Sequence, residues 1–182
     1  MPAKGWYLKK LLIAFSVILV LALSIYLVNH FQLQSHMNAV LGSDLRNKGI
    51  DVAVHYEYYM KPSILVYDLK SVSSSNSMVD VFRVFLQFSE KVKTKHFDVV
   101  CLSFQGREKF EIHGDYFQTI GKESSYQNPL YTMRTFPEHL LNSDGSKPFG
   151  VWKGGILGVL TEQMKDFNEF NRKWYVDDLT KK

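Results

Sequence analysis

The sequence has one cysteine, Cys101, and six histidines that fall at no spacing typical of a metal site. A lone thiol cannot form an intramolecular disulfide, and a structural zinc site needs about four Cys or His ligands. The histidines form no HxH, HxxxH or HExxH pattern. We therefore expect no disulfide, no bound metal and no other cofactor.

Motifs for nucleophilic or phosphate chemistry are also missing. The chain has no GxSxG or SxxK motif that would mark a serine nucleophile. Its glycine-rich stretch, residues 150–158 (GVWKGGILG), matches neither a P-loop nor a dinucleotide-binding fingerprint. The sequence therefore gives no motif evidence for an enzyme with a serine nucleophile, a P-loop or a dinucleotide-binding site.

Charge is absent from residues 11–28, LLIAFSVILVLALSIYLV. As a helix this run would be about 27 Å long, which is close to the thickness of the hydrocarbon core of a bilayer. Trp6, Tyr7 and Tyr26 stand where interfacial aromatic residues belong. The run therefore predicts a single transmembrane helix that contacts membrane lipid.

A cleaved secretory signal is the alternative interpretation of this run, because Ala22-Leu23-Ser24 offers small residues for a signal peptidase. The apolar core of a signal peptide usually stops before its cleavage site, whereas this run continues to Val28. The pattern favours an uncleaved signal anchor.

Basic residues predict the orientation of this helix. Lys4, Lys9 and Lys10 precede the run, and the next basic residue after it is Arg46. Positive charge favours the cytoplasmic side, so residues 1–10 should form a short cytoplasmic tail. The remaining domain would then be extracytoplasmic, and periplasmic in a Gram-negative cell.

The net charge gives little reason to expect a nucleic-acid partner. Three of the four net positive charges come from the lysines before the apolar run, which leaves +1 for residues 29–182. A nucleic-acid-binding domain normally carries a strongly basic patch. We expect no nucleic-acid binding.

Residues 29–49 follow the apolar run with few helix breakers. Leu33, Met37, Val40 and Leu41 recur at helical spacing. We predict a helical stalk that lifts the domain off the bilayer, and the alternative is a flexible linker.

Residues 50–182 show the periodicities of a small mixed domain. Residues 50–59 alternate as in a half-buried strand, and residues 77–93 present an apolar stripe at helical spacing. The predicted strands are residues 50–59, 64–72, 97–104 and 109–113, and the predicted helices are residues 77–93, 115–122 and 156–179. Residues 123–155 should be mostly irregular. The fold class is α+β, with a ββαββ sheet and a C-terminal amphipathic helix.

His113 and Asp115 are the candidate catalytic residues. A histidine at a strand end beside a carboxylate is the arrangement of a general base and the group that orients it. The alternative is that His113 faces solvent beside Lys109 and Glu111, while Asp115 stabilises the start of the next helix.

His55, Glu57 and Tyr59 are the candidate binding residues, on the polar side of the first predicted strand. Tyrosine supplies amphipathic contact area at low entropic cost, although strand propensity explains the aromatic residues of this strand equally well.

Two functions follow from these patterns. The favoured one is a non-enzymatic, membrane-anchored interaction or scaffold module that contacts another cell-envelope protein or its own copies. The alternative is a membrane-anchored hydrolase that uses His113 and Asp115.

Overall fold

The structure, a computed structural model, describes residues 3–181. It combines helices with a four-stranded mixed sheet and has a long apolar helix at its N-terminus. At this level the predicted architecture is confirmed. The details differ at the stalk, in residues 123–155 and in the last helix.

The N-terminal helix runs without a break into the folded domain. Helix α1 (Ala3–Asn29) passes through a π-helical turn (His30–Gln34) into α2 (Ser35–Ser43). Trp6–Ser43 is the one helix among residues 3–181 that is long and apolar enough to cross a membrane.

Residues 29–43 pack on the domain and do not form a free-standing stalk. Leu33, Met37 and Val40 are buried in the main hydrophobic core, whereas the most apolar part of α1 is fully exposed. The helical spacing of these side chains is explained by core packing against the sheet and the next helix. The domain therefore begins where the apolar run ends.

The sheet has the order β1-β2-β3-β4. The strands are β1 (Ile50–Glu57), β2 (Lys61–Val72), β3 (Val99–Phe104) and β4 (Arg107–His113). The outer pairs, β1 with β2 and β3 with β4, are antiparallel, and the central pair is parallel. Parallel neighbours need a crossover connection, which helix α3 (Met78–Lys91) supplies.

Helix α3 begins at a reciprocal cap. The Ser77 hydroxyl accepts from the Asp80 N–H, and the Asp80 carboxylate accepts from the Ser77 N–H. Two otherwise unpaired N–H groups of the first turn are thereby satisfied. Its apolar stripe then packs into the core through Val81, Phe85 and Phe88.

The C-terminal third contains more helix than the sequence predicts. Helices α4 (Gly114–Glu123) and α5 (Pro129–Thr135) precede a 3-10 turn (Phe136–His139). The last helix covers the predicted residues 156–179 but contains a π-helical turn (Arg172–Val176) between α6 (Ile156–Asn171) and the short α7 (Asp177–Leu179). The Asn128 side chain caps α5, and Pro129 occupies its first turn. Within residues 123–155, which we predict to be mostly irregular, this Asn-Pro pair therefore starts a helix.

Aromatic rings fill the core between the sheet and the helices. Trp174 lies in the π-helical turn, where its indole N–H donates to the Ser103 carbonyl oxygen at 3.0 Å. The other fully buried rings are Tyr67, Phe85, Phe88, Phe104, Phe117, Phe136, Phe167 and Phe170. The alternate strand residues point to the opposite face of the sheet, where charged side chains are partly exposed.

Two glycines inside helices offer a matched test of this packing. A Cβ added at Gly121 of α4 would collide with the carbonyl group of Ser89 in α3, whereas one added at Gly158 of α6 would meet open space. We expect Gly121→Ala to lower the free energy of unfolding by about 1–3 kcal/mol through overpacking. We expect Gly158→Ala to raise it by about 0.5–1 kcal/mol, because alanine favours the helix.

Urea unfolding of the detergent-solubilised full-length protein measures both changes through tryptophan fluorescence, since Trp174 is buried in the folded domain. Equal effects of the two substitutions would contradict the close approach of α4 to α3.

Candidate functional site

The two candidate catalytic residues are exposed and make no direct contact with each other. His113 ends β4 and is exposed. Asp115 lies in the first turn of α4 with 87% of its side chain accessible, and the imidazole near its carboxylate belongs to His96, at 3.9 Å. His96 also lies 3.9 Å from Asp98. This geometry gives a solvent-facing charged cluster, and the catalytic role of His113 and Asp115 stays a prediction.

The three candidate binding residues lie together at one end of the sheet. His55 and Glu57 are partly exposed on β1. Tyr59 lies in the turn after β1, where its ring stacks on that of His55 with centroids 4.4 Å apart. Glu57 pairs with Lys61 at 3.1 Å. Their role in binding also stays a prediction.

A thiol and two carboxylates cluster on the face of the sheet away from the helices. Ligand atoms of Cys101, Glu108 and Glu111 lie within 4.8 Å of one another. Burial, together with the nearby carboxylates, raises the pKa of the Cys101 thiol to about 12. Burial and the neighbouring Glu108 and Glu57 raise the pKa of Glu111. The thiol therefore keeps its proton at neutral pH.

A groove of about 390 Å³ lies between α3, α4 and α5, and we call it the α3–α5 groove. Its floor is apolar, and its rim carries both charge signs through Arg46, Arg83 and Glu90. The apolar side chains that line it are Val79, Phe82, Leu86, Ile120, Leu130 and Met133.

Two of the groove residues leave much apolar surface in water. Val79 is 52% exposed and Leu130 is 50% exposed. Arg83, by contrast, is held in place because its guanidinium bonds the Asp80 carboxylate at 2.5 Å and the Asn47 side-chain oxygen at 3.1 Å. The groove therefore combines a fixed polar edge with an unfilled apolar floor.

The sequence contained only part of the signal for this groove. The apolar stripe of α3 was visible, but the stripe does not show that Val79 and Leu86 are left partly uncovered at the end of the core. Leu130 follows an Asn-Pro pair that indicates a turn, and its position opposite α3 depends on tertiary packing.

A second feature without a sequence signal joins the N-terminal helix to β1. The Asn29 side chain donates to the Tyr59 carbonyl oxygen at 2.8 Å and accepts from the Tyr56 N–H at 2.8 Å. The Gln34 side chain donates to the Val52 carbonyl oxygen and accepts from the Val54 N–H. We call these two residues the amide clamp, because they pair with backbone groups along the outer edge of the sheet.

The π-helical turn His30–Gln34 explains how two residues five positions apart can serve one strand. In a π-helical turn the backbone bonds run from residue i to residue i+5, so residues at this separation come to the same side of the helix. In an α-helix they would point apart, since one turn takes about 3.6 residues. The turn therefore places both amides of the clamp against β1.

Comparison with models of known families, with curated proteins and with solved structures gave no match to this chain. The functional argument therefore depends on the α3–α5 groove, the exposed residues and the amide clamp.

The amide clamp can be tested by removing one side chain. Gln34→Ala leaves a partly buried carbonyl oxygen and N–H group of β1 without their partners, so we expect the free energy of unfolding to fall by about 1–3 kcal/mol. Asn38→Ala is the control, because exposed Asn38 contacts the Gln34 side chain but not the strand. It should change stability by less than about 0.5 kcal/mol.

Urea unfolding in detergent compares the two variants with the unaltered protein. If Gln34→Ala has the same free energy of unfolding as the unaltered protein, water replaces the lost hydrogen bonds fully, and the clamp does not stabilise the fold.

Proposed function

We propose that this protein is a single-pass membrane protein whose extracytoplasmic domain is a non-enzymatic interaction module. In this proposal, residues 11–28 form an uncleaved signal anchor and the N-terminus is cytoplasmic. The α3–α5 groove binds an apolar segment of another cell-envelope protein.

Membrane anchoring is supported by the exposure of the apolar run. A soluble protein buries its large apolar side chains, but those of α1 from Trp6 to Val28 stay largely accessible. Immediately after the run, Asn29 is 3% exposed and bonded to the domain. The apolar segment thus has the length and the position of a lipid-embedded span.

The α3–α5 groove is the observation that carries the interaction role. An apolar floor flanked by charged side chains is the usual composition of a surface that binds an amphipathic helix or a short peptide. The rim has both charge signs, which favours a protein segment over a nucleic acid or a strongly acidic ligand. A partner that covers Val79 and Leu130 would bury the largest apolar side chains exposed at the groove.

Orientation is testable with a membrane-impermeant maleimide on intact cells. Native Cys101 gives no background, because it is buried and its pKa is raised to about 12. We expect label at Ser74→Cys, an exposed position at the far end of the sheet, without permeabilisation. Tyr7→Cys, which is exposed near the N-terminus, should be labelled only after permeabilisation.

The reverse pattern would place the domain in the cytoplasm and contradict the proposed orientation. Label at Ser74→Cys in a soluble fraction would contradict the uncleaved anchor.

Partner binding is testable with a photo-crosslinking amino acid at Leu130 of the full-length protein in its native membrane. We expect a discrete crosslinked species from this position and none from Val151, which is similarly exposed but does not line the groove. Val79→Asp should abolish the species by placing a charge on the apolar floor. Asp also suits the first turn of a helix, so α3 should stay folded.

Val151→Asp is the matched control, because the two valines are 52% and 55% exposed. A species of twice the mass of the chain would identify the partner as a second copy. Equal crosslinking from Leu130 and Val151, or persistence of the species in Val79→Asp, would contradict binding in the groove.

A further inference from the structure

We infer that the tip of the β1–β2 hairpin, residues Tyr58, Tyr59 and Met60, is a second membrane contact that inserts into the interfacial region of the bilayer that holds α1. The inference rests on the membrane anchoring proposed above. The hairpin tip would be a lipid-binding surface of the domain itself, and it would contact the bilayer where the lipid headgroups meet the acyl chains.

The chain direction brings this hairpin back to the membrane. The N-terminal helix leads away from the apolar run, and β1 packs antiparallel to it, since Gln34 bonds Val52 and Val54 while Asn29 bonds Tyr56 and Tyr59. The end of β1 therefore returns to the level at which the apolar run ends. The opposite end of the sheet points away from the bilayer.

The hairpin tip extends beyond the end of the apolar run and lies beside its last residues. Tyr59, Met60 and Pro62 share an apolar crevice with Ser24, Ile25 and Val28 of α1. Ser24 lies five residues before Asn29, which corresponds to about 7.5 Å along the helix axis. If residues 11–28 cross the hydrocarbon, the tip lies at its outer boundary.

The side chains of the tip suit this location. Tyr58 is 78% exposed and Met60 is 68% exposed. Tyrosine is enriched at membrane interfaces, because its ring is apolar and its hydroxyl is polar. The Glu57–Lys61 ion pair at the base of the hairpin neutralises the nearest charges, so the tip carries no net charge into the interface.

The backbone of the turn indicates that the tyrosines are not there for local folding. Tyr58 and Tyr59 have φ values of 50° and 61°, in the left-handed region that asparagine and glycine adopt at least cost. Tyr59 stacks on His55, but Tyr58 has no ring contact with the residues that the structure describes, and it is 78% exposed. An exposed aromatic residue at this strained position is explained by a ligand outside the protein.

Spin labels on the full-length protein in phosphatidylcholine–phosphatidylglycerol vesicles test the inference. The measured quantity is the ratio of collision rates with oxygen, which concentrates in lipid, and with a nickel chelate, which stays in water. We expect this ratio to be several-fold higher at Met60→Cys than at Ser74→Cys at the far end of the sheet. A label at Leu19→Cys, exposed in the middle of the apolar run, reports the depth of the span.

Substitutions at Tyr58 separate lipid contact from folding. Tyr58→Asn keeps a residue that accepts positive φ, so stability should hold while the label at position 60 moves toward water. Tyr58→Trp, which keeps an interfacial aromatic ring, should preserve the depth. A loss of stability in Tyr58→Asn that matches the loss of depth would overturn the inference, because the tyrosine would then serve the fold.

The Leu19 label distinguishes the two ways in which the inference can fail. A deep Leu19 label with a Met60 label as accessible as Ser74 would overturn the hairpin contact and leave the anchoring intact. A Leu19 label accessible to the nickel chelate would overturn the membrane anchoring itself, and the hairpin contact with it.

Discussion

The unpaired edge of β1 is the constraint on which the arrangement of this protein depends. Backbone N–H and C=O groups along a sheet edge need partners when they are removed from water, and an unprotected edge also invites pairing with other chains. Here two side-chain amides, Asn29 and Gln34, supply the partners from a helix. The same four hydrogen bonds therefore protect the edge and help to attach the N-terminal helix to the domain.

The packing of this helix beside β1 goes together with the arrangement of the other helices in the domain. The helix next to β1 contributes Leu33, Met37 and Val40 to the core, so the other helices gather on the same face of the sheet. The opposite face keeps partly exposed charges, and the aromatic core lies wholly on the helical side. The α3–α5 groove is formed where this helical layer ends, because α4 and α5 leave Val79 and Leu86 of α3 partly exposed.

Periodic segments were predictable from the sequence, whereas features that depend on packing were not. Helix α3 carried a capping pair and a regular apolar stripe, and β1 alternated over its whole length, so local chemistry and tertiary structure agreed there. The amide clamp could not be predicted from the sequence. Asn29 and Gln34 are brought to the same side of the helix by a π-helical turn, and the sequence pattern does not indicate that turn. The α3–α5 groove likewise depends on the distance between two helices that are separated by almost forty residues. The candidates His113 and Asp115 are only two residues apart in sequence, but one ends a strand, whereas the other starts a helix and lies near His96.

The continuous helix has a mechanical consequence. Trp6–Ser43 spans 38 residues, or about 57 Å along the helix axis, and the helical elements follow one another without a gap from the apolar half to the half that is packed into the domain. An apolar span adjusts to a thinner or thicker bilayer partly by tilting. Any such tilt is transmitted through the helix, and the α3–α5 groove at its outer end changes its orientation to the membrane plane by the same angle. Under the proposed anchoring, the thickness of the bilayer would therefore influence the direction that the groove faces.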